Sequence, residues 1–137
     1  MFFKDEETRI QVAVANYLKY KWPDVLFTIA PSGNKLAYKK GAQFKAMGYK
    51  AGTPDLMVFE PRQQFFQSFP SCSGPGEMRI WHGLFLELKT ENGKLQDSQK
   101  DFIKALDARN YVAQVCYGYN KAIAALEGYL ELPLVKS

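Results

Sequence analysis

The sequence predicts an α/β fold in which helices flank a four-stranded mixed sheet. Three observations point there. Stretches with helical period, at residues 6–21, 95–110 and 120–130, alternate with short runs of β-formers at 25–30, 55–60, 81–89 and 111–117. Such alternation belongs to helix-covered sheets rather than to all-helical bundles or all-strand sandwiches. The 137 residues, 47% hydrophobic and 15% aromatic, are also enough for a single domain, residues 1–137, with a real core.

The elements follow in order. In "EETRIQVAVANYLKYK", residues 6–21, Ile10, Val14, Tyr17 and Leu18 fall at offsets of four, seven and eight, one stripe of an amphipathic helix that Pro23 ends. "VLFTIA" reads as a strand. "AQFKAMG" reads as a short helix with Gly48 placed to close it, and "DLMVFE" as the second strand. Residues 61–79 hold no steady period and are expected to form a loop or hairpin insert between strands. Within it Phe65, Phe66 and Phe69 have no strand partner in view. "WHGLFLELK" is expected as one continuous third strand. A second amphipathic helix follows, with Leu95, Phe102, Ile103 and Leu106 inward and Asn110 at its end. "YVAQVCY" is the fourth strand, and a last helix is expected to take Asn120 as its N-cap.

Composition narrows the function classes. Eighteen Lys and Arg against fourteen Asp and Glu give a net charge of +4, which suits a polyanionic partner. Two cysteines and one histidine, His82, supply neither a structural zinc site nor a disulfide framework. No apolar run approaches a membrane span, and "MFFKDEETR" lacks the apolar core of a signal peptide. These features predict a cytoplasmic protein with no membrane partner; the setting expected is a bacterial cell or a phage-infected host.

The chemistry-bearing residues sit at element boundaries. "GTPDLMVF" sets Asp55 at the mouth of an apolar strand, where a lone carboxylate costs several kcal/mol unless it is paired or bound to a metal. Capping a turn is the ordinary role for such an aspartate. In "LFLELK", alternation sends Leu84, Leu86 and Leu88 to one face and Phe85, Glu87 and Lys89 to the other. The apolar run before Glu87 indicates a central strand covered on both faces. Glu7 shares the inward stripe of the first helix, with Gln11 one turn further on. Support of the helix dipole would explain a Glu there, yet Asp5 and Glu6 can serve that end equally well. Three carboxylates gathered at one sheet edge repel one another unless a cation lies among them, and a hard, oxygen-seeking Mg²⁺ is the natural guest. With Lys89 beside them, the set suits metal-assisted phosphodiester hydrolysis.

At these residues the chain resembles the PD-(D/E)xK nucleases. Pro54-Asp55 is followed after thirty-one residues by Glu87-Leu88-Lys89. Within that superfamily it most resembles the VRR-NUC domain. The match rests on Glu7 and Gln11 spaced E-x-x-x-Q, on "KKGAQFKAMGYKAGTPDL", and on "LELKTENGKLQDSQKDF", where Gln99 follows the catalytic strand. The resemblance implies a restriction-endonuclease-like αβββαβ core. It also implies metal ligation by Glu7, Asp55, Glu87 and the Leu88 carbonyl, a catalytic Lys89, and site-supporting roles for Gln11 and Gln99. The cofactor implied is Mg²⁺, with Mn²⁺ able to substitute, and no small organic cofactor. The 61–79 insert exceeds the turn the motif needs.

Lys35, Lys39, Lys40, Lys45 and Lys50 crowd the approach to Asp55. Singly each reads as a solvated lysine; together they suit phosphate contacts, with Ser32 offering a backbone approach. Stand-alone members of the resembled family suggest a Holliday-junction resolvase, a two-fold dimer acting on branched DNA. The alternatives are a monomeric flap or repair nuclease and a non-cleaving nucleic-acid-binding module. Apolar candidates for pairing are Phe65, Phe66 and Phe69, and Tyr129, Leu130 and Leu132 near the C-terminus.

Overall fold

The computed structural model describes residues 5–30, 41–67 and 76–136. It is a mixed α/β structure: α1 (Glu6–Lys21), β1 (Phe27–Ile29), α2 (Gly41–Ala46), β2 (Leu56–Val58), β3 (Arg62–Phe66), β4 (Glu77–Trp81), β5 (Leu84–Lys89), α3 (Asp97–Asp107), β6 (Val112–Tyr117) and α4 (Tyr119–Leu130). The main sheet runs β1-β2-β5-β6, antiparallel across its first two pairs and parallel between β5 and β6. A parallel pair needs a crossover, and α3 supplies it. The expected four-stranded mixed sheet flanked by helices is the observed one.

β5 is the central strand, buried from Leu84 to Glu87 and on to Leu88. Its leucines pack with Val14 and Leu18 of α1, Leu56 and Val58 of β2, and Ala122, Leu126 and Leu130 of α4 in one core. Each fully buried leucine there contributes about 2 kcal/mol. The opposite face carries Phe85, whose ring meets Phe59 and Tyr111 edge-on at centroid distances of 6.3 and 5.4 Å. Asp5 caps α1, accepting from the backbone N–H of Glu7 and Thr8 at 3.2 and 3.3 Å. The helix start therefore has its acid without calling on Glu7's side chain. No helix among the described residues is long and apolar enough to cross a membrane.

Four expectations need correction. The third strand is not continuous: β4 ends at Trp81, and His82 and Gly83 separate it from β5. A Cβ on Gly83 would lie 2.7 Å from the Val58 carbonyl oxygen, so the chain passes β2 there on a glycine. Phe65 and Phe66 do have strand partners, opposite Met78 and Glu77 in the β3–β4 hairpin, while Phe69 lies outside the described residues. The last helix starts at Tyr119, with Gly118 rather than Asn120 as N-cap, because the turn from β6 needs the φ of +91° that glycine adopts freely. Tyr129 and Leu130 are buried core residues, which removes them as an exposed surface for pairing.

The hairpin is pinned to the C-terminal end of α4. Arg62 is buried and donates to the Leu130 carbonyl at 3.3 Å and the Pro61 carbonyl at 2.9 Å, with Glu60 at 3.7 Å. The Tyr129 hydroxyl donates to the Glu60 carbonyl at 2.6 Å, and Trp81 Nε1 donates to Gln64 at 3.0 Å. Truncating a buried charged donor leaves its acceptors unpaired, at a cost of about 3 kcal/mol. Arg62→Ala is expected to lose that much in urea denaturation. Its activity should persist wherever it is folded, because the hairpin meets β5 at the end opposite Glu87 and Lys89.

Candidate active site

The register of β2 on β5 builds the site. Leu56 lies opposite Leu86 at the end of the ladder, and the same register carried one step further sets Asp55 against Glu87. Leu56 and Leu86 face the core with α1 and α4, so the next residue on each strand faces the other way, towards α3. Directly opposed side chains have Cβ atoms about 5 Å apart. The turn into Asp55 is held by the Thr53 hydroxyl, which donates to the Lys50 carbonyl at 2.6 Å. The Asp55 carbonyl accepts from Ala30 N–H at 2.9 Å, extending the β1–β2 ladder to the site.

Both carboxylates are buried, at 6% and 2% exposure for Asp55 and Glu87. Asp55 Oδ2 accepts from the Leu88 backbone N–H at 2.8 Å. A strand residue's N–H and C=O point to the same side, so the Leu88 carbonyl faces Asp55 as well. Glu87 Oε1 accepts from Gln99 Nε2 at 2.7 Å and lies 3.4 Å from Lys89 Nζ. Gln99 Oε1 accepts from the Gln96 N–H at 2.9 Å, which settles which end of the amide faces Glu87. Glu87 Oε2 is buried and meets no hydrogen-bond partner among the described residues. The Lys89 stem lies under the turn ending at Gly93, where a Cβ would come within 3.2 Å of Lys89 Cβ and Cδ.

Electrostatics mark this pair as strained. Burial pushes Glu87 up to about 8, helped by the Asp55 carboxylate, opposed by Lys89, and helped least by Glu7. Burial also raises Asp55, against the Leu88 N–H, Lys89 and its contact with Glu87. Glu7 is thus close enough from the start of α1 for its charge to be felt. Among the described residues, however, no three His, Cys, Asp or Glu gather tightly enough to cage a metal ion by themselves. The structure brings together Asp55, Glu87, Leu88, Lys89 and Gln99. Gln11 is half-buried one turn along α1 from Glu7. Lys45 and Lys50 are exposed on α2 and in the turn after it, whereas Ser32, Lys35, Lys39 and Lys40 lie outside the described residues. An all-oxygen donor set containing a buried carboxylate oxygen without a partner fits a hard divalent cation.

The VRR-NUC domain profile matches residues 6–120, a span running from the start of α1 through Asp55 and Glu87 to the first turn of α4. The chain belongs to the VRR-NUC family. A solved VRR_NUC domain protein superposes on it with a TM-score of 0.71 at 25% identity, covering 98% of this chain and 96% of that one. Comparison with curated proteins gives no match. VRR-NUC domains are a nuclease family, so the chain carries a nuclease domain and its substrate class is nucleic acid.

One neighbour of the VRR-NUC site escaped the sequence reading. Tyr49 is half-buried, and its hydroxyl pKa is raised first by burial and then by the Glu87 and Asp55 charges, whose field reaches it. Its signal was present: an aromatic between Gly48 and Gly52 on the direct approach to Asp55.

The raised Glu87 has a consequence for the metal-free protein. Its pKa rises from 4.5 to about 8 on folding, so at neutral pH the folded chain holds a proton that the unfolded chain has released. The stability this confers is complete below the unfolded value and is lost as pH climbs through about 8. Thermal melts in EDTA are therefore expected to fall from mildly acidic to mildly alkaline pH. Glu87→Gln, which cannot ionise, should flatten that fall; equal slopes in both proteins would assign the loss to other groups.

Proposed function

We propose that this VRR-NUC protein is a Mg²⁺-dependent, structure-selective DNA endonuclease that resolves Holliday junctions as a homodimer, with Mn²⁺ able to substitute. The observation that carries the reading is the buried Asp55–Glu87 pair, whose Glu87 Oε2 meets no partner among the described residues, with the Lys89 ammonium 3.4 Å from the other oxygen. Glu7, Asp55, Glu87 and the Leu88 carbonyl would hold the ion. When bound, it polarises the scissile phosphoryl oxygen and lowers the pKa of a water. The chain's own groups do the rest. Lys89 sits at the end of β5, only 12% exposed, where it orients the attacking water and offsets charge on the phosphorane. Gln99 fixes the Glu87 carboxylate, and the Leu88 N–H fixes that of Asp55. Lys45 and Lys50, with Gln11, Ser32, Lys35, Lys39 and Lys40, are the proposed nucleic-acid contacts; such charges govern affinity and its salt dependence.

A two-fold dimer supplies two sites with a fixed separation, as symmetric cuts of a four-way junction require. The competing reading, a monomeric flap nuclease, gains from the burial of Tyr129 and Leu130. Apolar surface available for pairing is then sought on the hairpin, where Phe65, Met78 and Ile80 are exposed. A non-cleaving binding module is disfavoured, because acids gathered against phosphates weaken binding unless they serve chemistry.

Cleavage of junction, flap, duplex and single-stranded DNA, each with Mg²⁺ and with EDTA, tests the proposal. Junctions should be cut best and only with metal; activity in EDTA equal to that in Mg²⁺ overturns the mechanism. Asp55→Asn and Glu87→Gln should abolish cutting while DNA binding persists. Lys89→Ala should slow turnover by about 10²–10⁴-fold. Lys89→Arg should rescue poorly, since a planar guanidinium does not reproduce a compact ammonium. Light scattering should report a dimer; a monomer that prefers flaps selects the competing reading.

A further inference from the structure

Gly52 makes the closest backbone approach in the site. Its φ is +89°, and a Cβ built on it would lie 2.2 Å from the Ser98 carbonyl oxygen, 2.4 Å from its carbon and 2.9 Å from the Gln99 backbone nitrogen. These neighbours are helix backbone, so no flexible side-chain end can swing aside. Gly48 is the informative contrast: it shares the positive φ, at +110°, but a Cβ there meets nothing within 4 Å. Glycine at 48 answers a conformational need alone, whereas glycine at 52 also lets two elements touch.

What they bring together is the two halves of the site. Three residues after Gly52 comes Asp55. Against Gly52 lies the first turn of α3, whose Gln99 donates to Glu87 at 2.7 Å. We propose that Gly52 is a positioning residue, seating the turn before Asp55 on the α3 backbone so that Gln99 reaches Glu87 and holds its carboxylate beside Asp55. The role assigned to Glu87 rests on the nuclease reading; the contact does not.

Magnitudes support the coupling. Real Cβ atoms essentially never approach closer than 3.0 Å, so any side chain at 52 must push turn and helix apart by about 1 Å. A hydrogen bond of 2.7 Å stretched by that much passes beyond the working range of about 2.7–3.2 Å. Glu87 would then lose the donor that orients it.

The test is a double-mutant cycle with a spectroscopic readout in the metal-free protein. In Gly52→Ala the Gln99 side-chain amide resonances should move to the positions of a free glutamine, while in Gly48→Ala they should stay in place despite lowered stability. For cleavage, Gly52→Ala and Gln99→Ala should each lower kcat by about the same factor, with KM little changed. The double variant should be no worse than either single, since residues acting through one contact are not additive. Additive losses, unmoved Gln99 resonances, or a Gly52→Ala chain that does not fold would each overturn the proposal and leave Gly52 a purely structural glycine. A wild-type protein that cuts no DNA would defeat the nuclease reading instead, and the resonance test would still decide this one.

Discussion

Two carboxylates held side by side out of water are the constraint around which the rest of the site is arranged. Asp55 and Glu87 face each other across an antiparallel pair, and burial alone would drive both towards their neutral forms. A protein built only for stability would place a hydrophobic pair there, which is often neutral or better for folding. Instead the chain surrounds the acids with donors: the Leu88 N–H on Asp55, and the Gln99 amide and Lys89 ammonium on Glu87. Among the described residues, one oxygen is left with no partner. That remainder is what a bound cation would satisfy.

The scaffold makes this arrangement obligatory. Leu56, Val58, Leu84, Leu86 and Leu88 are essentially fully buried, and slipping β2 on β5 by one residue would turn Leu56 and Val58 out of the core. The same register that satisfies the leucines sets Asp55 opposite Glu87. Core packing therefore sets which residues meet at the site, and the donors around them orient the carboxylates. The hairpin is a different unit with a different job. It is anchored through Arg62 and Tyr129 at the far end of β5, so its contribution to stability can vary without disturbing the acids.

Much of this was legible in the sequence where local pattern decides. Period-two alternation in "LFLELK" and the stripe of α1 carried the sheet face, the central strand and the buried side of Val14 and Leu18. The β3–β4 hairpin was less legible, because Phe65 opposite Met78 is a non-local pairing announced by no short turn. Tyr129 and Leu130 looked like surface candidates near the end of the chain. Yet with Ala122 and Leu126 they fall at offsets of four, seven and eight, the same stripe that located the core face of α1. Asn120 has the usual chemistry of a cap, and only the sharp turn out of β6, with its positive φ at Gly118, moves the helix start forward. Tyr49 and the closeness of Gly52 to α3 depend on packing between distant segments, which no spacing rule encodes.

The central claim is that the Asp55–Glu87 pair is a divalent cation site, and ligand-linked stability tests it without recourse to any DNA substrate. An ion that binds only the folded state raises its melting temperature in proportion to the logarithm of its concentration. Thermal unfolding should be followed across a Mg²⁺ titration at a pH above the Glu87 value of about 8, where Glu87 is ionised. The wild-type melting temperature should climb steadily with Mg²⁺, and Asp55→Asn and Glu87→Gln should each be flat. A wild-type protein indifferent to Mg²⁺, or three proteins climbing alike, would contradict the account.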